Sequence, residues 1–146
     1  MRFHLIDRID EYEPRSRVRG RKLVSAAESG LRESADGPVL ESALVLEALC
    51  QAGTWLIMLS TERRKRAALL QIGGVEFTGV ARPGDVVVLE GTVETMSDEM
   101  AVFSGTAQVD GSVLMRATDI MCALIDAGDL QDDAHSGRLL EGLVRA

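Results

Sequence analysis

The sequence predicts an α+β domain in which one long apolar helix lies against a mostly antiparallel sheet. Three observations carry that expectation. Residues 43–59 (ALVLEALCQAGTWLIML) contain 13 apolar residues out of 17, and a helix that is apolar nearly all round belongs inside a protein. Two strand-like segments precede this run and four follow it. Sharp turn signals, Arg82-Pro83-Gly84-Asp85 and Asp110-Gly111, separate the later segments.

The elements read in order as follows. Residues 4–13 (HLIDRIDEYE) place Leu5, Ile6, Ile9 and Tyr12 in an imperfect alternation, read as a short helical turn followed by a strand. Residues 14–16 form a turn. Residues 17–25 alternate, with Arg17, Arg19 and Arg21 on one face and Val18, Gly20, Lys22 and Val24 on the other. Residues 26–37 are polar and read as a loop. Pro38 and Ser42 mark the helix entry, and the helix runs into the basic string ERRKR.

Residues 68–78 are the next strand, with Gly73-Gly74 expected to mark a bulge. Residues 86–95 (VVVLEGTVET) are rich in β-branched side chains. Residues 101–109 and 112–125 complete the set as a hairpin. Residues 126–134 are acidic, and residues 136–144 suggest a short amphipathic helix. The expected division is a domain over residues 1–126 and a tail over residues 127–146. One sheet cannot cover all sides of such a helix, so a second copy or a related chain is expected to cover the rest.

Composition narrows the function. The chain has 146 residues, a net charge of −7, and 46% apolar and 27% charged residues. That suits one globular domain with a real core and argues against general nucleic-acid binding. Two cysteines, Cys50 and Cys122, lie in apolar runs and read as buried thiols. No Cys/His spacing suggests a metal, and no cofactor is expected. The start MRFHLIDRID lacks the apolar stretch of a signal peptide. The 43–59 helix reads as too short and interrupted for a membrane span, so a cytoplasmic protein is expected.

The charge is uneven. Arg15, Arg17, Arg19, Arg21 and Lys22 form one basic cluster, and Arg63, Arg64, Lys65 and Arg66 another. The plain reading is a solvated strand face and a helix end, where cations suit the dipole. The functional reading is a docking surface for an acidic partner.

The chemical signal is Glu47, a carboxylate within the most apolar helix. Glu47, Gln51 and Thr54 stand at i, i+4 and i+7 and share one helix face. A carboxylate in apolar surroundings costs several kcal/mol unless paired, and such acids often mark reaction sites. Cys50 is one helical step from Glu47 and reads as inert packing. Trp55 and Phe77 are candidates to line an acyl tunnel, although large apolar residues are more often core. His4 reads as an edge residue.

Three strings resemble the hot-dog-fold (3R)-hydroxyacyl-acyl-carrier-protein dehydratases of fatty-acid and polyketide synthesis. HLIDRIDEYEP is similar to the family's opening, PVLESALVLEALCQAG to its helix, and VEFTGVARPGD to its A-R-F-x-x-P-x-x-P-G-D string. The match spans roughly residues 3–125. The resemblance implies a dimeric hot-dog fold, with a long central helix wrapped by a six-stranded sheet and active sites shared between two subunits.

Residue by residue, it places Glu47 on the catalytic carboxylate and Gln51 on the helix glutamine. Ser42 falls on the helix-start residue whose backbone N–H faces the thioester carbonyl. Glu33 occupies the position of the family's catalytic histidine, and its usual pKa of about 4.3, against about 6.5 for histidine, makes it a poor replacement base. The leading expectation is therefore a dehydratase subunit that lends Glu47 to a site completed by a histidine-bearing relative. The alternatives are an acyl-thioester hydrolase, with Gln51 or Thr54 orienting water for Glu47, and a non-catalytic subunit that binds acyl chains or a carrier protein. An acidic acyl carrier protein, with its phosphopantetheine-linked acyl chain, is the partner expected at the basic clusters.

Overall fold

The computed structural model of the chain describes residues 3–129 and 133–145, apart from the side chains of residues 133–136. The elements run β1 (Arg8–Glu13), β2 (Arg17–Leu23), β3 (Leu31–Arg32), β4 (Val39–Leu40), α1 (Ser42–Ser60), β5 (Lys65–Phe77), β6 (Val86–Met96), β7 (Met100–Val109) and β8 (Ser112–Asp126). A 3-10 turn (Ala127–Asp129) and α2 (Asp133–Val144) follow. Six strands form an antiparallel sheet in the order β1-β2-β6-β7-β8-β5, and β3 and β4 make a separate small ribbon.

The sheet wraps α1, as expected. Val45, Ala48, Leu49, Ala52, Trp55, Leu56 and Met58 of the helix share one core with Val18, Leu89, Phe103, Met115 and Ile120 of the strands. Gly53 is needed at this contact: a Cβ there would overlap the Phe103 ring. α1 has the length and apolarity of a membrane span, with 19 residues and mean hydropathy 1.5, contrary to the reading that it is too short. What marks it as a core helix is that half of it is buried against the sheet.

The turns follow their residues. Asp110 and Gly111 have φ of 49° and 79° and join Val109 to its partner Ser112, as a two-residue hairpin with both φ positive requires. Arg82 and Asp85 close the other turn: the Asp85 N–H donates to the Arg82 carbonyl (2.9 Å) and the Arg82 N–H to Asp85 Oδ2 (2.7 Å). β2 alternates as expected, with Val18, Gly20 and Lys22 buried and Arg17 and Arg19 exposed.

Five expectations need correction. Residues 4–7 form no helical turn; they lead without regular structure into β1, and the Asp7 N–H donates to the Arg21 carbonyl. The 26–37 loop contains β3, which pairs with β4. The bulge in β5 lies between Leu69 and Gln71, not at Gly73-Gly74. Gly73 instead makes room for Asp119, whose φ is 52°.

The basic string is not a helix end. Glu62 and Arg63 have φ of 51° and 66°, and the Arg63 N–H bonds the Met58 carbonyl (2.8 Å). The chain therefore reverses there, and Lys65 and Arg66 open β5.

The terminal helix is longer than expected and starts at Asp133. It packs against β1, and Leu140 and Leu143 enter the main core.

Candidate active site at the sheet edge

Helix periodicity builds the site. Glu47, Cys50, Gln51 and Thr54 fall on one face of α1 and line a pocket of about 180 Å³. Ala67 and Leu69 of β5 and Cys122 of β8 form its other wall. Leu69 and Cys122 are direct cross-strand partners, which is why residues 53 positions apart meet here. β5 is the last strand of the sheet, so the pocket sits beside an unpaired edge.

Glu47 is half-buried, and it is held. The Gln51 amide nitrogen donates to Glu47 Oε1 (2.9 Å) and to the Phe3 carbonyl (3.3 Å). Gln51 Oε1 accepts the Leu5 N–H (2.9 Å). Thr54 Oγ1 donates to the Cys50 carbonyl (3.0 Å). Burial pushes the Cys50 thiol up to about 12, with the Glu47 carboxylate and Cys122 adding to the effect, and burial also raises Cys122. Both sulfurs are therefore neutral thiols at physiological pH and weak nucleophiles.

No histidine lines this pocket among the described residues. The His4 ring stands edge-on to Trp55, with centroids 6.0 Å apart. Shielding of that ring lowers its pKa, an effect partly offset by Asp7 and by hydrogen bonding of the ring to the Ile6 backbone. The side chain of His135 lies outside the described residues.

The other sequence candidates are dispersed. Ser42 is the first residue of α1, after a Glu41 cap with no side-chain hydrogen bond. Its N–H is one of those a helix start leaves without an intrahelical acceptor. Glu33 is exposed in the β3–β4 hairpin, which is closed by reciprocal Ser34–Gly37 backbone bonds of 3.1 Å, and it does not reach the Glu47 pocket. Trp55 is core and Phe77 is 45% exposed, so these two tunnel candidates do not meet at the pocket.

The basic clusters also separate. Lys22 is removed from any docking surface: it is buried and paired with Glu28 at 2.5 Å. Arg17 faces Glu11 and Glu13, Arg19 faces Glu90, and Arg21 faces Asp10. That face is electrically balanced. Beyond α1, Lys65 pairs with Asp126 (2.7 Å), whereas the side-chain bonds of Arg15 and Arg64 go to the Met96 and Thr61 carbonyls. Arg66 bonds the Arg63 and Lys65 carbonyls, and the Arg63 side chain lies against Gly137.

Sequence reasoning found the helix face but missed the grip of Phe3 and Leu5 on Gln51. It also missed the β5–β8 wall. The alternation of β8 could have flagged Cys122 as inward-facing, but nothing local says which strand edge lies beside Glu47.

The fold is shared with solved structures. These include smu.793 of Streptococcus mutans bound to acetyl CoA, with TM-score 0.65 and 17% identity, covering 84% of this chain and 91% of that one. The putative thioesterase yhdA of Lactococcus lactis gives TM-score 0.68 at 11% identity, over 84% and 94% of the two chains. The dehydratase heterocomplex ApeI:P of Xenorhabdus doucetiae gives 0.60 at 12%, over 77% and 92%. The chain is thus a hot-dog-fold protein.

A FabA-like domain matches residues 1–118. The 3-hydroxyacyl-[acyl-carrier-protein] dehydratase FabZ of Cupriavidus metallidurans is 35% identical over 127 residues, 84% of each chain. That of Roseiflexus castenholzii is 36% identical over 124 residues, covering 84% of this chain and 86% of the relative. The chain belongs to the FabA-like domain family and has a dehydratase-like role in fatty-acid synthesis by that homology.

Proposed function

We propose that this chain is a dehydratase-like subunit acting on 3-hydroxyacyl thioesters carried by an acyl carrier protein. It supplies Glu47 to a site completed by a histidine of a related hot-dog subunit. The carrying observation is that a tethered carboxylate lies beside an unpaired, apolar sheet edge, with no imidazole in its pocket among the described residues. Leu69, Leu70, Val75 and Phe77 are exposed along that edge, which suits pairing with a second hot-dog chain.

In the proposed reaction the partner's imidazole takes the α-proton. The electron pair forms the α,β double bond, and the β-hydroxyl leaves as water with a proton from Glu47. N–H groups at the start of α1, Ser42 among them, stabilise charge on the thioester oxygen. Glu33, in its exposed hairpin, takes no part. No metal or cofactor enters this chemistry.

The balanced Arg17, Arg19 and Arg21 face is a weak attractor for an acidic carrier. Arg15, Arg63 and Arg64 beyond α1 are the favoured docking surface, and binding there weakens with added salt. A cytoplasmic setting fits this role.

Hydrolysis by this chain alone is less well supported. A water beside Glu47 needs an orienting donor, but the Thr54 hydroxyl proton goes to Cys50 and the Gln51 amide protons to Glu47 and Phe3.

The test is dehydration of a 3-hydroxyacyl carrier-protein substrate, followed as enoyl product. The chain alone is expected to be inactive. Adding a histidine-bearing hot-dog subunit restores turnover, and Glu47→Gln in the pair lowers it at least 100-fold. Unchanged turnover in the mutant pair refutes the assignment.

A further inference from the structure

We infer that the main chain of Phe3–Leu5, acting through Gln51, is a positioning element that selects which oxygen of Glu47 carries the transferable proton. The inference rests on the dehydratase reading of Glu47, and it extends the site to a segment at the other end of a 46-residue sequence separation.

The argument begins with the amide of Gln51. A glutamine side chain has one accepting oxygen and one donating nitrogen, and the two ends look alike unless their neighbours distinguish them. Here they are distinguished. The Leu5 N–H can only donate, so it faces Gln51 Oε1 (2.9 Å). The Phe3 carbonyl can only accept, so it faces Nε2 (3.3 Å). Two backbone groups two residues apart therefore fix the amide in one orientation.

The remaining N–H of Gln51 points at Glu47 Oε1 (2.9 Å). An oxygen that receives a donor cannot also carry a proton along that line. No hydrogen bond among the described residues reaches Oε2. Oε2 is thus the oxygen that bears the proton and gives it to the leaving hydroxyl. A flipped Gln51 would place an acceptor against Glu47 and draw the proton inward to Oε1, away from substrate. Gln51 and the Phe3–Leu5 backbone position the acid; they do not touch the reacting atoms.

The test uses two main-chain variants. Leu5→Pro removes the N–H. Deleting residues 2–4 joins Met1 to Leu5 and removes the Phe3 carbonyl. The side-chain NH2 of Gln51 is followed by 15N NMR across the titration of Glu47. In the parent chain its shift changes with pH, and Glu47→Gln abolishes that change. Each main-chain variant is expected to reduce the amplitude by at least half. Full amplitude in a folded main-chain variant overturns the inference, and if Leu5→Pro does not fold, the deletion alone decides.

The kinetic arm pairs each variant with the histidine-bearing subunit. Gln51→Met and the deletion both lower kcat roughly 10- to 100-fold, the size expected for losing a hydrogen bond to a charged group, with KM within about twofold. A deletion with parental kcat beside an impaired Gln51→Met also overturns it. Absence of turnover in every pairing defeats the dehydratase reading and leaves the NMR coupling to judge this one.

Discussion

The two edges of the main sheet are finished in opposite ways. At the β1 edge, Arg8, Arg17, Arg19 and Arg21 sit among Asp10, Glu11, Glu13 and Glu90 on the outer face, and α2 packs against the strand. At the other edge, β5 runs 13 residues with Leu69, Leu70, Val75 and Phe77 exposed and, among the described residues, no strand beyond it. Charges and a covering helix complete an edge against further pairing, whereas a long apolar edge invites it. The candidate pocket lies beside the second edge. The contrast teaches that one edge of this sheet is covered by its own chain and the other is left open.

The largest expected effect comes from charging the open edge. Leu70→Lys on β5 should abolish association with a hot-dog partner, and with it turnover, while the isolated chain keeps its circular dichroism. Sedimentation at matched concentrations checks this, and a pair that stays intact would remove β5 from the interface.

Next is the support beneath the closed edge. Glu28→Gln leaves the Lys22 ammonium buried without its counter-charge, with an expected loss of about 3 kcal/mol in chemical denaturation. A similar loss, about 2–4 kcal/mol, is expected for Leu143→Ala, which opens a hole where α2 meets the core. If α2 is a dispensable tail, that variant unfolds like the parent.

The smallest mutational effect belongs to the outer charges. Arg19→Ala removes a half-exposed pair with Glu90 at 3.7 Å and should cost less than about 1 kcal/mol. A larger loss would mean that the charge ladder holds the edge rather than merely discouraging pairing.

The pocket supplies a pH test. The folded state favours the neutral Cys50 thiol, so its contribution to stability is complete below the ordinary thiol pKa. That contribution fades as pH rises from about 9 toward about 12. Thiol-reagent labelling at pH 8 should accordingly be slow. Glu47→Gln removes the carboxylate that is one cause of the shift and should speed labelling. Faster labelling of the parent than of an unfolded control would contradict the shielded, neutral assignment.

Much of this was legible in the chain. The helix, the turns at Arg82–Asp85 and Asp110–Gly111, and the alternation of β2 all follow from short-range patterns. Errors arose where long-range contacts outweigh local preference. ERRKR looks like a helix tail, but the chain reverses at Glu62–Arg63 so that Lys65 can pair with the end of β8. Gly73-Gly74 looks like a bulge, but the register shifts near Leu70 instead. Lys22 looks like surface charge, yet its strand face points inward, where Glu28 meets it. Trp55 is core because the face of α1 that carries it meets the N-terminal segment.

Residue order determined which side chains share a face, because a helix repeats every 3.6 residues and a strand every two. That was enough to put Glu47, Gln51 and Thr54 together. Only tertiary folding decided what stands opposite them. The Leu5 N–H and Phe3 carbonyl that orient Gln51, the Leu69–Cys122 wall, and the bare β5 edge all depend on chain segments meeting across long separations. Such meetings are set by the packing of the whole core, to which no local pattern has access.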